Sequence, residues 1–176
     1  MTTGDATPAV GGERADLLET LGAHRGFLRF TLRGLTDEQA ALTPTASQLC
    51  LGGLIKHVTQ VERSWADFVL DRQGDHGGAG TAGGAEEHAR GFQMLPGDTV
   101  ADLLADYDAA ARDTDAIVTT VADLDASHPL PPAPWFAPGA RRSNRRVFLH
   151  LIAETAQHAG HADIIRETLD GAKTMG

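Results

Sequence analysis

The chain is poor in several features that would otherwise define it. It has a single cysteine, Cys50. No intrachain disulfide can form, and a reducing, cytoplasmic setting is the expectation. Cys50 precedes an apolar helical run, where it is either a buried structural thiol or a nucleophile. No apolar stretch approaches the roughly 20 residues a membrane span requires, so no membrane partner is expected. Lysine occurs only at Lys56 and Lys173, and the formal net charge is -9. Nucleic-acid binding needs a surface that neutralises phosphates, so no nucleic-acid partner is expected either. Residues 1–12 lack the basic and apolar segments of a signal peptide and read as a flexible N-terminal tail. The glycine-rich stretch 74–84 lacks the Gly-Lys-Ser/Thr ending and the preceding strand of a phosphate loop.

What is present is helical periodicity. At 176 residues the chain has the length of one domain, here residues 13–171, with 172–176 as a C-terminal tail. A first helix is expected over 13–35 on Leu17, Leu21, Leu28 and Leu32. His24 lies on its stripe, as a core or edge histidine or as a group lining a site. Thr36 to Gln39 has the pattern of a capping box. A second helix is expected over 48–71, capped by Ser47, with Leu54, Val58, Val61, Trp65 and Phe68 as its apolar side. His57 falls on that side, while Lys56 and Glu62 take more solvent-directed positions. Residues 72–97 break the pattern and form a long loop, a lid or a solvated excursion, flanked by His76 and His88. A third helix over 99–124, capped by Asp98, carries Asp102, Asp106, Asp108, Asp113 and Asp115 mainly on its wet face. Residues 125–143 are a second, proline-rich crossover in which Trp135 and Phe136 either cover the end of a bundle or wall a pocket.

The last helix, capped by Ser143 or Asn144 and closed by Gly171, organises the rest. At roughly 100° per residue, Val147, Leu151, Ile165 and Leu169 share an arc of about 40°. Glu154 and His158 lie inside that arc and His161 at its edge. An inward carboxylate is costly unless something compensates it. Either a divalent cation held with His57 as third ligand or a buried His–Glu hydrogen-bond network would do so. Two histidines and one carboxylate leave a coordination position open, the catalytic pattern for zinc. The arginines 141, 142, 145 and 146 oppose the helix dipole. They either pair with the acidic third helix or, around Arg145, hold an anionic substrate group. The pattern is all-α: a four-helix bundle with two long crossover loops.

His57 within Gly52-Gly53-Leu54-Ile55-Lys56-His57-Val58, and the last-helix run Glu154-Thr155-Ala156-Gln157-His158-Ala159-Gly160-His161-Ala162-Asp163, resemble the DinB-like (YfiT-type) superfamily across 13–171. The resemblance implies a divalent metal, zinc first with nickel or iron as alternatives, on His57, Glu154 and His158. Relatives include mycothiol-dependent maleylpyruvate isomerase and thiol S-transferases that use mycothiol or bacillithiol, often as dimers. It therefore implies a small-molecule substrate, a low-molecular-weight thiol as cosubstrate and a possible homodimer. The activity implied is metal-dependent transfer of the thiol to an electrophile. The alternatives are a metal-dependent hydrolase or isomerase on a non-thiol substrate, or a non-catalytic metal-binding stress protein. Within this picture His161 is the catalytic proton carrier, and Arg145 and Trp135 contact substrate. His150 and His161 depart from the family pattern, as replacement ligands or as groups behind the ligands.

Overall fold

In a computed structural model of the chain, residues 11–72, 89–133 and 136–175 are described. The architecture is mainly helical, as expected. Helix α1 spans Glu13–Phe30, a single short turn α2 spans Asp37–Ala40, and α3 spans Leu51–Val69. Helix α4 spans Val100–Thr120, strands β1 and β2 span Ser127–Pro129 and Arg141–Ser143, and α5 spans Asn144–Asp170. Helix α1 packs on α4 and α5, and α3 packs on the same two. The four long helices therefore close into a bundle in which α1 and α3 face each other across the diagonal.

Local chemistry sets the element ends, and several differ from the expectation. Helix α1 stops at Phe30 rather than Leu35 because the chain tightens into i to i−3 bonds at Thr31, Leu32 and Arg33. The carbonyls of Thr31 and Arg33 that this frees both accept from Arg166 Nη1, at 2.7 and 2.9 Å. The capping box is present: Thr36 Oγ1 accepts from Gln39 N, and Gln39 Oε1 accepts from Thr36 N. Helix α3 is capped by Cys50, not Ser47; its sulfur accepts from Gly53 N at 3.4 Å. Helix α4 is capped by Thr99, because Asp98 is taken by Lys56 Nζ and Leu95 N, each at 2.8 Å. Ser143 caps α5, and Gly171 ends it at φ 80°, a left-handed conformation that suits glycine. The second crossover is not wholly irregular. Ser127, His128 and Pro129 pair antiparallel with Ser143, Arg142 and Arg141, on strands too short for an alternating pattern to register.

The core divides along the bundle axis. One apolar cluster gathers Leu17, Leu21, Phe68, Ile117, Val147, Phe148 and Leu151. The other gathers Leu28, Leu32, Leu54, Ile55, Val58, Tyr107, Ala162 and Ile165. Between them, at matching heights on the four helices, lie the buried polar groups Arg25, Glu62, Thr114 and Thr155. Glu62 is the clearest correction to the helical wheel: it is fully buried, not solvent-directed. Its Oε1 accepts from Arg25 Nε at 2.7 Å, and Arg25 Nη1 also reaches Asp115 Oδ1 at 2.7 Å. Desolvation pushes the Glu62 carboxyl up from its ordinary range, against the pull of Arg25. The wheel misses this because other helices cover the face of α3 that carries Glu62, while Gln60 and Arg63 beside it stay exposed.

Breaking a buried ion pair from one side strands the other charge, at a cost of about 3–5 kcal/mol. Glu62→Gln should therefore lower the unfolding free energy by about 3 kcal/mol, the low end of that range, because Asp115 still holds Arg25. The double change Arg25→Met with Glu62→Leu should recover most of it. Chemical denaturation checks both, and a single variant as stable as the parent would refute the assignment. A second test concerns glycine. A Cβ on Gly53 would sit 1.9 Å from the Phe92 carbonyl, whereas one on Gly22 would meet nothing within 4 Å. Gly22→Ala should stabilise by about 0.5–1 kcal/mol through helix propensity, and Gly53→Ala should destabilise despite the same gain. Melting temperatures that move in the same direction would contradict this packing.

Candidate metal centre

Helices α3 and α5 pack with increasing residue number on one matching decreasing number on the other. Trp65 of α3 meets His150 of α5, while His57 meets His158 a step further along. The spacing of Glu154 and His158 stacks them on consecutive turns of one face. Glu154 Oε1 lies 3.2 Å from His158 Nε2 and 3.2 Å from His57 Nε2. Both imidazoles thus converge on one carboxylate oxygen. Hydrogen bonds from His158 and then His57 hold the Glu154 carboxyl well below the ordinary range, partial burial opposing them.

The three groups are not equally enclosed. The side chains of His57 and His158 are 8% and 10% exposed and that of Glu154 is 22%. Glu154 is therefore a half-buried rim of the site, not the core carboxylate that the wheel implies, and the site opens to solvent on its side.

One wall comes from a segment where sequence reading found only a break. Phe92 stacks on the His57 ring, with centroids 3.9 Å apart and planes 21° from parallel. The glycine pair at the start of α3 puts it there. Gly53 lets the Phe92 backbone lie directly on the helix, and Gly52 leaves the room that Met94 Sδ occupies, 2.2 Å from where a Cβ would stand. Cys50 is buried and structural: besides capping α3, its thiol donates to the Phe92 carbonyl at 3.6 Å. The available signal was the pair itself. Two adjacent glycines in the first turn of a helix weaken it and so indicate close backbone approach.

The remaining candidate residues separate. His161 Nδ1 lies 3.4 Å from His158 Nδ1, behind the triad rather than within it. His150 edges onto Trp65 at 5.2 Å between ring centroids, one turn before Glu154. His24 is half-buried and edges onto Phe27 in α1. Arg145 is engaged elsewhere: its guanidinium is held by Glu13 and by Asp125. It is nine residues before Glu154, which at roughly 100° per residue puts it on the opposite face of α5. It does not join the triad, and its partners are not on the acidic α4. Residues 76, 88 and Trp135 lie outside the described residues.

The donor set fits a divalent metal. The three donor atoms lie within 4.8 Å of one another. Two ligands held about 2.0–2.1 Å from a tetrahedral ion are separated by about 3.3 Å, and both Glu154–histidine separations are 3.2 Å. Among the described residues no helix is long and apolar enough to cross a membrane.

Comparison with known proteins agrees with this architecture. A solved structure, that of a conserved protein from Enterococcus faecalis, matches over 93% of this chain and 100% of that one, with a TM-score of 0.69 and 13% identity. At that identity the likeness is one of fold. No curated protein matches the sequence. The family model of the mycothiol-S-transferases matches residues 16–171, nearly the whole bundle, so the chain belongs to the mycothiol-S-transferase family.

Proposed function

We propose that this protein is a cytoplasmic, divalent-metal-dependent transferase that joins a low-molecular-weight thiol of the mycothiol type to an electrophilic small molecule. The observation that carries the reading is the convergence of His57 Nε2 and His158 Nε2 on Glu154 Oε1 at tetrahedral edge length. His57, Glu154 and His158 would hold the metal, and zinc suits two imidazoles and one carboxylate with a position left open. When bound, the metal supplies a Lewis acid that favours the thiolate form of a thiol at neutral pH.

The chain's own residues do the rest. His161 is a positioning residue. With His158 Nδ1–H donating to His161 Nδ1, the lone pair of His158 Nε2 is left for ligation. His161 is half-buried, so it can also pass a proton between the site and solvent. Phe92 covers the His57 ring and keeps water from that side. The solvent-facing edge at Glu154 is the entry for the two substrates.

Purified protein should carry close to one equivalent of zinc by elemental analysis. His57→Ala and His158→Ala should each lose most of it, together with at least a hundredfold of thiol transfer, outer-ligand changes alone costing 10–100-fold. Undiminished transfer after chelation would sink the mechanism. His161→Asn should keep the metal and weaken transfer by roughly 10–100-fold. The pH dependence has a definite sign. Ligation needs deprotonated donors, so protons compete with the metal and bound metal should fall as the pH is lowered. Glu154, held low, contributes above its unfolded value and is lost only as pH falls through its lower folded value. Metal retention measured from pH 8 to 5 should therefore fall toward acid with Glu154 still ionised, and retention that does not change with pH would contradict the ligand set.

A further inference from the structure

Among the described residues, Arg145 alone of the four arginines around the start of α5 has an acidic partner. Arg145 is held by Glu13 and Asp125, and Arg141 bonds to Ser127. Arg142 and Arg146 form no ion pair among the described residues. Arg142 leaves β2 opposite His128 and lies over the Trp65 ring at 4.7 Å and over Phe136 at 5.3 Å. Its Nη1 is buried and has no hydrogen-bond partner among the described residues. Desolvation, then the nearby Arg146 charge, pulls the Arg142 guanidinium below its ordinary value. Desolvation also lowers His150, and both arginines add to that against the pull of Glu154. These cations are therefore mutually close, and they sit at the N-terminus of α5, whose dipole adds further positive potential. Such an arrangement is unfavourable by itself and becomes favourable around an anion.

Its place on α5 gives it a use. Arg146, His150, Glu154 and His158 follow one another at i, i+4 spacing, so they form a row on one side of α5. Trp65 accompanies the row on α3, eight residues after His57. The basic end thus lies about 11 Å, two helical turns, from the triad along the same side of α5.

We propose that Arg142, flanked by Trp65 and Phe136, and the exposed Arg146 near it bind the carboxylate of the electrophilic cosubstrate. The guanidinium fork matches a carboxylate, and the aromatic walls accept an apolar body between the carboxylate and the reacting carbon. The site thereby selects elongated acids over their neutral counterparts. This deepens the thiol-transfer reading and rests on it for the word cosubstrate; the anion site itself does not.

The test separates the two. Benzoate and its neutral isostere benzamide are titrated by calorimetry into the full chain, metal-loaded and chelator-treated. Benzoate should bind both forms, and benzamide at least about tenfold more weakly, as expected for loss of a charge-assisted pair. Arg142→Gln and Arg146→Gln should each weaken benzoate about tenfold, while Arg145→Gln leaves it unchanged. Melting temperature and metal content report that the variants fold. If Arg142→Gln does not fold, Arg142→Lys and Arg146→Gln carry the test. Unchanged benzoate affinity in the folded variants, or binding that disappears when the metal is removed, would overturn the proposal. Benzoate binding as described, with no thiol transfer to any electrophile, would leave the anion site standing and remove the transferase reading.

Discussion

A single carboxylate oxygen shared by imidazoles from two helices is the interaction on which the site depends. Glu154 Oε1 faces His57 on α3 and His158 on its own helix at equal distance. The pair on α5 needs nothing but helical geometry, since residues four apart stack on one face. The approach of His57 does need the bundle: the antiparallel contact of α3 with α5 must fix both the register and the rotation of α3. Two apolar clusters, one at each end, lock that register. The triad sits beside the level where the helices carry Arg25 and Glu62, with His57 and His158 flanked by residues of the second cluster.

That polar level has an energetic logic. A bundle filled with leucine and isoleucine alone packs well but specifies its register weakly. The buried Arg25–Glu62 pair crosses the diagonal between α1 and α3, which otherwise make little contact. Its net stabilisation is small once desolvation is counted, but any register that separates the two leaves charges buried alone. The pair thus holds α3 at one height, and His57, a turn and a half away on that helix, is positioned with it. The Gly52–Gly53 contact acts on the same helix from outside, laying the Phe92 backbone against its first turn. Between them these features set the position of the ligand that comes from the other helix and cover one of its faces.

Charge is distributed with the same economy of partners. The acidic residues of α4 answer arginines from α1 and α3: Arg25 with Asp115, Arg29 with Asp108, Arg63 with Asp106. Arg145 is used to tie the start of α5 to Glu13 and Asp125. Arg142 and Arg146 form no ion pair among the described residues, and they lie at the start of the helix that carries Glu154 and His158.

Much was legible in the residues. The period of Val147, Leu151, Ile165 and Leu169 determines that Glu154 and His158 share a face, whatever surrounds them, because a helix turns by a fixed angle per residue. The same holds for His57 among Leu54, Val58 and Val61, and for the capping box at Thr36. Composition determined the absence of disulfides and the acidic surface. Only tertiary structure decided which neighbours those faces meet. Glu62 looked wet on the wheel and is buried, since enclosure comes from other helices and leaves no mark on the period. Phe92 looked like loop and became a wall, because a backbone seated on two glycines is a contact between distant segments. Arg145 looked free and is bound, while Arg142 and Arg146 have no ion pair among the described residues, a distinction set by where Glu13 and Asp125 fall in space. Local geometry is written in the spacing of residues; the partner across a gap depends on how the chain returns to it.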